Sequence, residues 1–116
     1  VLAGEPPLES HPHALSGVAS YFSLEACRHN PYPHCPTASG RSLYALRDYP
    51  YMAAWFGTFG SRWRVFGKAG CAVAEVWDRG PNRRLRRLAD LSPQVFKAAC
   101  GDLRQGVCDV DIEAMP

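Results

Sequence analysis

The sequence lacks a hydrophobic run long enough to cross a membrane. Its longest uncharged apolar stretch near the middle, residues 49–61, falls short of the ~20 residues that a bilayer requires and is interrupted by Pro50, Gly57 and Gly60. With 116 residues, 47% of them hydrophobic, the chain can form one compact domain with its own core. The sequence therefore excludes a membrane-spanning helix and predicts a single small domain.

The chain also has little net charge and few lysines. The formal net charge is +2, and two lysines stand against eleven arginines. Four of these arginines, Arg83, Arg84, Arg86 and Arg87, fall within residues 81–88. We interpret this cluster as a solvated loop in preference to a contact with phosphate or an acidic polymer. A nucleic-acid partner is not expected.

Motifs for common cofactors are missing as well. The sequence contains no phosphate-binding loop, no dinucleotide fingerprint and no serine nucleophile elbow. We therefore expect no cofactor.

Glycine and proline, by contrast, are abundant, with ten of each. Because both residues mark turns, they favour many short strands over a few long helices. Strand-like sequence begins at Gly17 and recurs at 62–66, where Trp63 and Val65 share one face, and at 71–77. Residues 1–15 are rich in proline and lack hydrophobic periodicity, so we predict an extended arm there and a barrel-like domain over 16–116.

One segment is typical of a helix. Ser92 is suited to cap it, Pro93 to begin it and Gly101 to end it.

The final segment alternates more clearly than any other. Its apolar positions are Cys108, Val110 and Ile112, and its acidic positions are Asp109, Asp111 and Glu113. The alternation predicts a strand whose acidic face is solvated.

Five cysteines in so short a chain favour an oxidising compartment and one or two disulfides. Cys27 and Cys35 bracket a loop that also holds two histidines, enough for a zinc site, but the spacing fits no strong zinc signature. We predict a disulfide there and no metal. Cys108 should pair with Cys100 or with Cys71, and the sequence does not choose between them. The chain opens on valine and not methionine, which indicates a processed or trimmed N-terminus, and from the cysteines we expect an exported protein.

Several motifs occur in the order in which the rare lipoprotein A family has them. They are SGVASYF at 16–22, TASG at 37–40, FGSRWRV at 59–65, VWDRGP at 76–81, ADLS at 89–92 and GVCDVDIE at 106–113. The chain resembles this family over nearly its whole length, and DRGP followed by DLS is the most specific element. The resemblance implies an all-β fold, a six-stranded double-psi β-barrel with one short α-helix, related to the barrels of expansins and of membrane-bound lytic transglycosylase A.

The resemblance also implies a role at cell-wall polysaccharide, chiefly peptidoglycan. Lytic transglycosylases of this type use an aspartate as general acid and then base, and the muramyl hydroxyl attacks internally, so a second carboxylate is not obligatory. By motif, Asp78 is the candidate acid, Asp90 a supporting residue that lines or braces the same groove, and Thr37 a residue of the turn beside it.

Three positions depart from the family pattern. Arg41, Tyr44 and Trp55 stand where active members carry Glu, Asp and His. Such a groove loses acids and gains aromatic faces, which suits stacking on sugars better than proton transfer. Tyr44, Trp55 and Trp77 are therefore candidates for sugar binding, although each aromatic ring could instead belong to the core.

For each carboxylate a structural role competes with the catalytic one. Asp78 could accept backbone N–H bonds at its turn or pair with Arg79, and we favour such a role. Asp90 lies two residues before a helix cap, where the structural role is favoured further. Strict alternation places Glu75 on the strand face opposite Asp78, outside the site.

The leading hypothesis is a secreted, periplasmic or envelope-associated barrel that binds peptidoglycan or a related polysaccharide or cleaves it as a weak lytic transglycosylase. One alternative is a structural module of a virion tail tip or an envelope assembly, with other protein subunits as its partners. Another is an expansin-like protein that loosens glycans without cleaving them.

Overall fold

A computed structural model describes residues 14–116. Six strands form a closed barrel: β1 (Leu15–Tyr21), β2 (Tyr51–Ala54), β3 (Arg62–Gly67), β4 (Gly70–Asp78), β5 (Ala89–Leu91) and β6 (Cys108–Ala114). Around the barrel the strands follow the order β1-β5-β2-β4-β3-β6. The pairs β1–β5 and β2–β4 are parallel and the other four are antiparallel. The predicted all-β, six-stranded barrel is confirmed.

Two α-helices and three 3-10 turns connect the strands. They are α1 (Leu43–Leu46), α2 (Pro93–Cys100) and the turns Leu24–His29, Arg83–Leu85 and Leu103–Gln105. In the described part of the chain even α2, with eight residues, is far too short to span a bilayer. The predicted arm, 1–15, lies outside the described residues except for its last two, and Leu15 already belongs to β1.

Helix α2 forms as the sequence predicts. The Ser92 hydroxyl accepts a hydrogen bond from the Val95 N–H, Pro93 begins the helix, and Gly101 ends it with a φ of 95° that a side chain would oppose. Phe96 on this helix is fully buried among the inward-facing residues of the barrel. The helix thereby closes one side of the core.

The β3–β4 hairpin packs directly on the end of α2. A Cβ atom at Gly67 would overlap the Ala99 carbonyl oxygen, so only glycine allows this close approach. Strand β4 starts near this contact, at Gly70, and each of its nine residues advances about 3.3 Å. Asp78, at the opposite end of the strand, is therefore roughly 26 Å from Gly70.

Strand β6 alternates as predicted on its inner face and differs on its outer face. Cys108, Val110 and Ile112 are buried. Asp111, however, is only 6% exposed, and its Oδ1 accepts a hydrogen bond of 2.7 Å from the Ser16 hydroxyl. The prediction of a solvated acidic face is wrong at this position because β6 lies between β1 and β3, whose residues flank Asp111 on both sides.

Two disulfides join cysteines eight residues apart. One links Cys27 to Cys35, and the other links Cys100, at the end of α2, to Cys108, at the start of β6. Cys71 is a free, exposed thiol. The structure thus decides between the two partners that the sequence left open for Cys108.

Candidate functional site

The two predicted aspartates lie on the strands that flank β2. Asp90 on β5 pairs in register with Ala53 from one side, and Asp78 on β4 pairs with Ala53 from the other. Two strand spacings of ~4.8 Å place their Cα atoms about 10 Å apart. We call Asp78, Ala53 and Asp90 the carboxylate site. Ala53 itself is only 3% exposed, and the backbone at Gly80 lies over its methyl group.

A β-bulge brings Glu75 to the same side as Asp78. Tyr51 pairs with Glu75, Met52 with Val76 and Ala53 with Asp78, so the register skips Trp77. Because Tyr51 and Ala53 share a face of β2, their partners Glu75 and Asp78 also share one. The prediction that strict alternation separates these two acids is wrong, since the extra residue reverses the alternation. Glu75 remains engaged elsewhere, with Trp77 and Arg62.

Backbone amides hold one oxygen of Asp78. Its Oδ1 accepts hydrogen bonds of 2.8 Å from the backbone N–H groups of Ala38 and of Arg79. The Arg79 side chain turns away, and its Nη1 donates to the carbonyl oxygens of Ala54 and Phe56, each at 3.1 Å. The sequence suggested two structural roles for Asp78, acceptance of backbone hydrogen bonds or pairing with Arg79. The structure shows the first of these.

Thr37 shapes the turn that delivers the Ala38 amide. Its hydroxyl donates to the Arg41 carbonyl oxygen at 2.8 Å, and its backbone N–H donates to the same oxygen at 2.9 Å. Gly40 completes the turn with a φ of 89°. Thr37 thus acts on the site through the backbone of its turn.

Asp90 is half-buried, and its surroundings shift its pKa. Burial raises its pKa, and the neighbouring Asp78 raises it further, whereas a hydrogen bond from the Ser20 hydroxyl at 3.0 Å and the charge of Arg87 lower it. The net direction is upward. A carboxyl group in this state holds its proton to higher pH than an exposed one.

Tyr51 belongs to the same environment. Burial and the charge of Asp90 raise the pKa of its phenol to about 12. Its hydroxyl donates to the Phe22 carbonyl oxygen at 2.7 Å. Tyr51 therefore stays neutral and acts as a structural hydrogen-bond donor that connects β2 to the end of β1.

Three aromatic rings, one next to Asp78 on β4 and two in the segment that follows β2, each carry an arginine. We call these pairs the arginine–aromatic rim: Arg41 over Trp77 at 4.3 Å, Arg83 over Trp55 at 4.3 Å and Arg79 over Phe59 at 4.4 Å, each measured from the guanidinium carbon to a ring centre. Guanidinium groups stack well on aromatic faces. The rim thus combines apolar surface with positive charge.

The predicted sugar-binding aromatics differ in their surroundings. Trp55 is half exposed, and its indole N–H donates to the Pro81 carbonyl oxygen at 2.6 Å. Trp77 is half-buried, and its indole N–H donates to Glu75 Oε1 at 2.8 Å. Tyr44 is exposed on α1, and no hydrogen bond or ring contact between described residues joins it to the carboxylate site. Its role in sugar binding stays a prediction.

The cysteine loop does not provide a metal site. Cys27 and Cys35 bond to each other, so their sulfurs are not available as zinc ligands. Among residues 14–116, no three His, Cys, Asp or Glu side chains are placed to hold a metal ion.

Sequence reasoning missed Ser20, Tyr51 and Phe59, and it considered Arg79 only as a partner of Asp78. Ser20 meets Asp90 only because β1 and β5 run side by side in parallel, although 70 residues separate the two. Arg79 and Phe59 lie within the recognised motifs, so their positions were visible but their contact was not.

No protein-family model matches the sequence, and no curated protein matches it. Solved structures do. The crystal structure of apo-expansin from Clavibacter michiganensis superposes with a TM-score of 0.65 at 20% identity, covering 89% of this chain and 50% of the expansin. A mutant of that expansin in complex with cellohexaose gives a TM-score of 0.62 with the same identity and coverage.

This chain therefore spans half the length of the expansin structures that it matches. Likeness at 20% identity concerns the fold. Together with the closed six-stranded barrel and its single main helix, it shows that the chain has the double-psi β-barrel fold of these expansins.

Proposed function

We propose that this barrel binds a cell-wall polysaccharide across the carboxylate site and the arginine–aromatic rim, without cleaving it. The observation that carries the proposal is the placement of Asp78 and Asp90 on either side of Ala53, next to half-exposed aromatic rings. Carboxylates accept hydrogen bonds from sugar hydroxyls, and aromatic faces pack against the C–H faces of sugar rings. The cellohexaose complex of the expansin neighbour supports a glycan as ligand.

The surroundings of Asp78 favour binding over catalysis. A general acid must present its proton to the glycosidic oxygen. Asp78 instead has two backbone N–H groups directed at Oδ1, which anchors the turn at 37–41 against β4. Arg41, Tyr44 and Trp55 also occupy the positions where active relatives by resemblance carry an acid or a histidine. The peptidoglycan-cleaving function assigned to Asp78 by motif is therefore our second candidate.

For this second candidate, one observation favours Asp90 over Asp78 as the general acid. Burial raises the pKa of Asp90, the direction that a general acid requires. In a lytic reaction Asp90 would donate its proton to the glycosidic oxygen as the C–O bond breaks, and would take back a proton from the muramyl hydroxyl that closes the anhydro ring.

Two disulfides among five cysteines support secretion or residence at the cell envelope. A structural role in a virion tail or an envelope assembly stays a prediction.

Co-sedimentation with insoluble glycans tests the binding proposal. The full chain should pellet with purified peptidoglycan sacculi or with cellulose, and Trp55→Ala should bind about tenfold more weakly because a stacking surface is lost. Tyr32→Ala is the matched control, since Tyr32 is 65% exposed and outside the rim. A chain that stays in the supernatant with both glycans contradicts the proposal.

Mass spectrometry of the sacculi after incubation tests cleavage. Non-cleaving binding predicts no anhydromuramyl products. Products that disappear in Asp90→Asn and persist in Asp78→Asn would establish the second candidate instead.

A further inference from the structure

The cluster of arginines at 83–87 is held in a fixed conformation. The Trp55 indole N–H binds the Pro81 carbonyl oxygen at 2.6 Å at one end of the segment, and the Leu88 N–H binds the Val18 carbonyl oxygen at 2.7 Å at the other. Between them, Asn82 caps the 3-10 turn Arg83–Leu85 by accepting the Arg84 N–H at 3.0 Å. The segment is thus a hydrogen-bonded turn, and its residues 82–86 are exposed.

This turn adjoins the carboxylate site. Arg83 stacks on Trp55, directly after β2, and Arg87 is close enough to Asp90 to lower the pKa of that carboxyl. Arg41 contributes from the other side, over Trp77. A basic surface therefore borders the two aspartates.

Between residues 14 and 116, no close ion pair joins the arginines of this surface to an acidic side chain, and Arg87 acts on Asp90 only from a longer distance. These arginines are Arg41, Arg83, Arg84, Arg86 and Arg87. All are exposed except the partly buried Arg87. Two of them, Arg41 and Arg83, are oriented by stacking on tryptophan, which leaves the N–H groups at the guanidinium edge available to a ligand.

We propose that the glycan bound at this surface is an acidic polysaccharide, with sugar carboxylates held by these arginines; this inference rests on the proposed function. Guanidinium groups bind carboxylates through paired hydrogen bonds, and orienting them beforehand reduces the entropy lost on binding. Sugar hydroxyls would meet Asp78 and Asp90, which can accept hydrogen bonds. Alternating hydroxyls and carboxylates along one chain match this arrangement better than a neutral glucan does.

The stacked arginines also limit how a neutral glycan can bind. Arg83 covers one face of the Trp55 ring, so a neutral sugar can stack on that face only after the guanidinium moves. A carboxylate-bearing sugar can instead bind the guanidinium in place.

Equilibrium binding of the full chain to polygalacturonate and to its fully methyl-esterified form tests the inference, because the two polymers share a backbone and differ in charge. We expect polygalacturonate to bind at least about tenfold more tightly at low salt, and the difference to shrink as salt is raised. Equal affinity for both polymers would overturn the inference and leave the proposed function intact. Binding to neither polymer, with no pelleting on sacculi or cellulose, would overturn both.

The double variant R83Q/R84Q isolates the turn. We expect it to lose about tenfold in affinity for polygalacturonate and to keep or improve its affinity for the methyl ester. The matched control is K97Q/R104Q, which removes the same charge from exposed positions near the end of the barrel where the β3–β4 hairpin packs on α2. Equal loss of affinity in both variants would show that only the net charge of the protein matters, which would contradict the inference.

A single-stranded oligothymidylate is the third probe. Tighter binding to it than to polygalacturonate would assign the basic turn to nucleic acid and overturn the inference. Circular dichroism and thermal melting of each variant verify that the barrel is folded.

Discussion

Asp78 and Asp90 occupy the two strands on either side of β2, and each pairs with the same residue, Ala53. Their charges interact, because Asp78 contributes to the raised pKa of Asp90. The two aspartates nevertheless differ in environment. Backbone amides hold Asp78, whereas Asp90 is half-buried and accepts a hydrogen bond from the Ser20 hydroxyl.

The raised pKa of Asp90 predicts a pH-dependent stability. The folded state binds this proton more tightly than the unfolded state does, so the charged carboxylate costs stability above the folded pKa, and the cost disappears as pH falls toward the ordinary value. Asp90→Asn should therefore be more stable than the wild type at pH 7, with the Ser20 hydroxyl now donating to the amide oxygen. The advantage should shrink as pH is lowered through the folded pKa.

Urea denaturation between pH 3 and pH 8 measures this difference. Asp109→Asn, at an exposed position of β6, is the control and should show no such advantage. A stability gain of Asp90→Asn that is constant across this range contradicts the prediction.

The backbone hydrogen bonds of Asp78 predict a contrast between two substitutions. In Asp78→Ala the N–H groups of Ala38 and Arg79 lose their acceptor, which should lower the free energy of unfolding by about 1–3 kcal/mol. Asp78→Asn keeps an oxygen at this position and should lose less. Chemical denaturation of both variants at pH 7 measures the difference, and equal losses would show that Oδ1 does not anchor the turn.

We expect removal of either disulfide to lower stability, and removal of only one of them to weaken glycan binding. Each closes a loop of the same length, with a sequence separation of eight, so removing either should lower the free energy of unfolding by about 2.5 kcal/mol. The double variant C27S/C35S should also weaken glycan binding. Cys35 directly precedes the bridge between Pro36 and Ser42 that closes the turn carrying Ala38.

The matched variant is C100A/C108A, whose disulfide joins α2 to β6. It should lose stability and keep glycan affinity at temperatures well below its melting point. Equal loss of affinity in both variants would indicate a general effect of destabilisation and not of the turn.

From the free thiol of Cys71 we predict that a thiol reagent modifies the folded protein slowly and at one position. It is the one free cysteine of five, and it is exposed. Although the residue is exposed, its sulfur is partly desolvated, which raises the pKa of the thiol against the opposing charge of Arg64, so little thiolate is present at pH 7. Iodoacetamide should add one label per folded chain, more slowly than it labels free cysteine and faster as pH rises. More than one label without reductant would show that a disulfide is open.

Local patterns were enough for the elements that local interactions stabilise. The residues Ser92, Pro93 and Gly101 predicted α2, because caps act within one turn of the backbone. Helix α1 was missed, since four residues are too few to show a periodicity. The resemblance to known motifs, and not composition, supplied the double-psi topology and the two aspartates.

The contacts across the barrel could not be predicted in the same way. The bulge that skips Trp77 places Glu75 on the same strand face as Asp78, and alternation alone predicted the opposite face. Asp111 belongs to a strand with a clear polar face and is nevertheless buried, because the strands on both sides flank it. Such outcomes depend on pairing between residues far apart in the chain.

The sequence by itself determined a small β-rich domain with one capped helix, since turn residues, caps and alternation act locally, and the motif resemblance added the barrel topology. Only the tertiary structure decided what surrounds each charge. Parallel pairing of β1 with β5 brings Ser20 to Asp90, and closure of the barrel brings Asp78 and Asp90 to the two sides of Ala53. Desolvation and charge coupling depend on these neighbours, and they come from pairing between distant strands, as with Ser20 and Asp90, which are 70 residues apart in the chain.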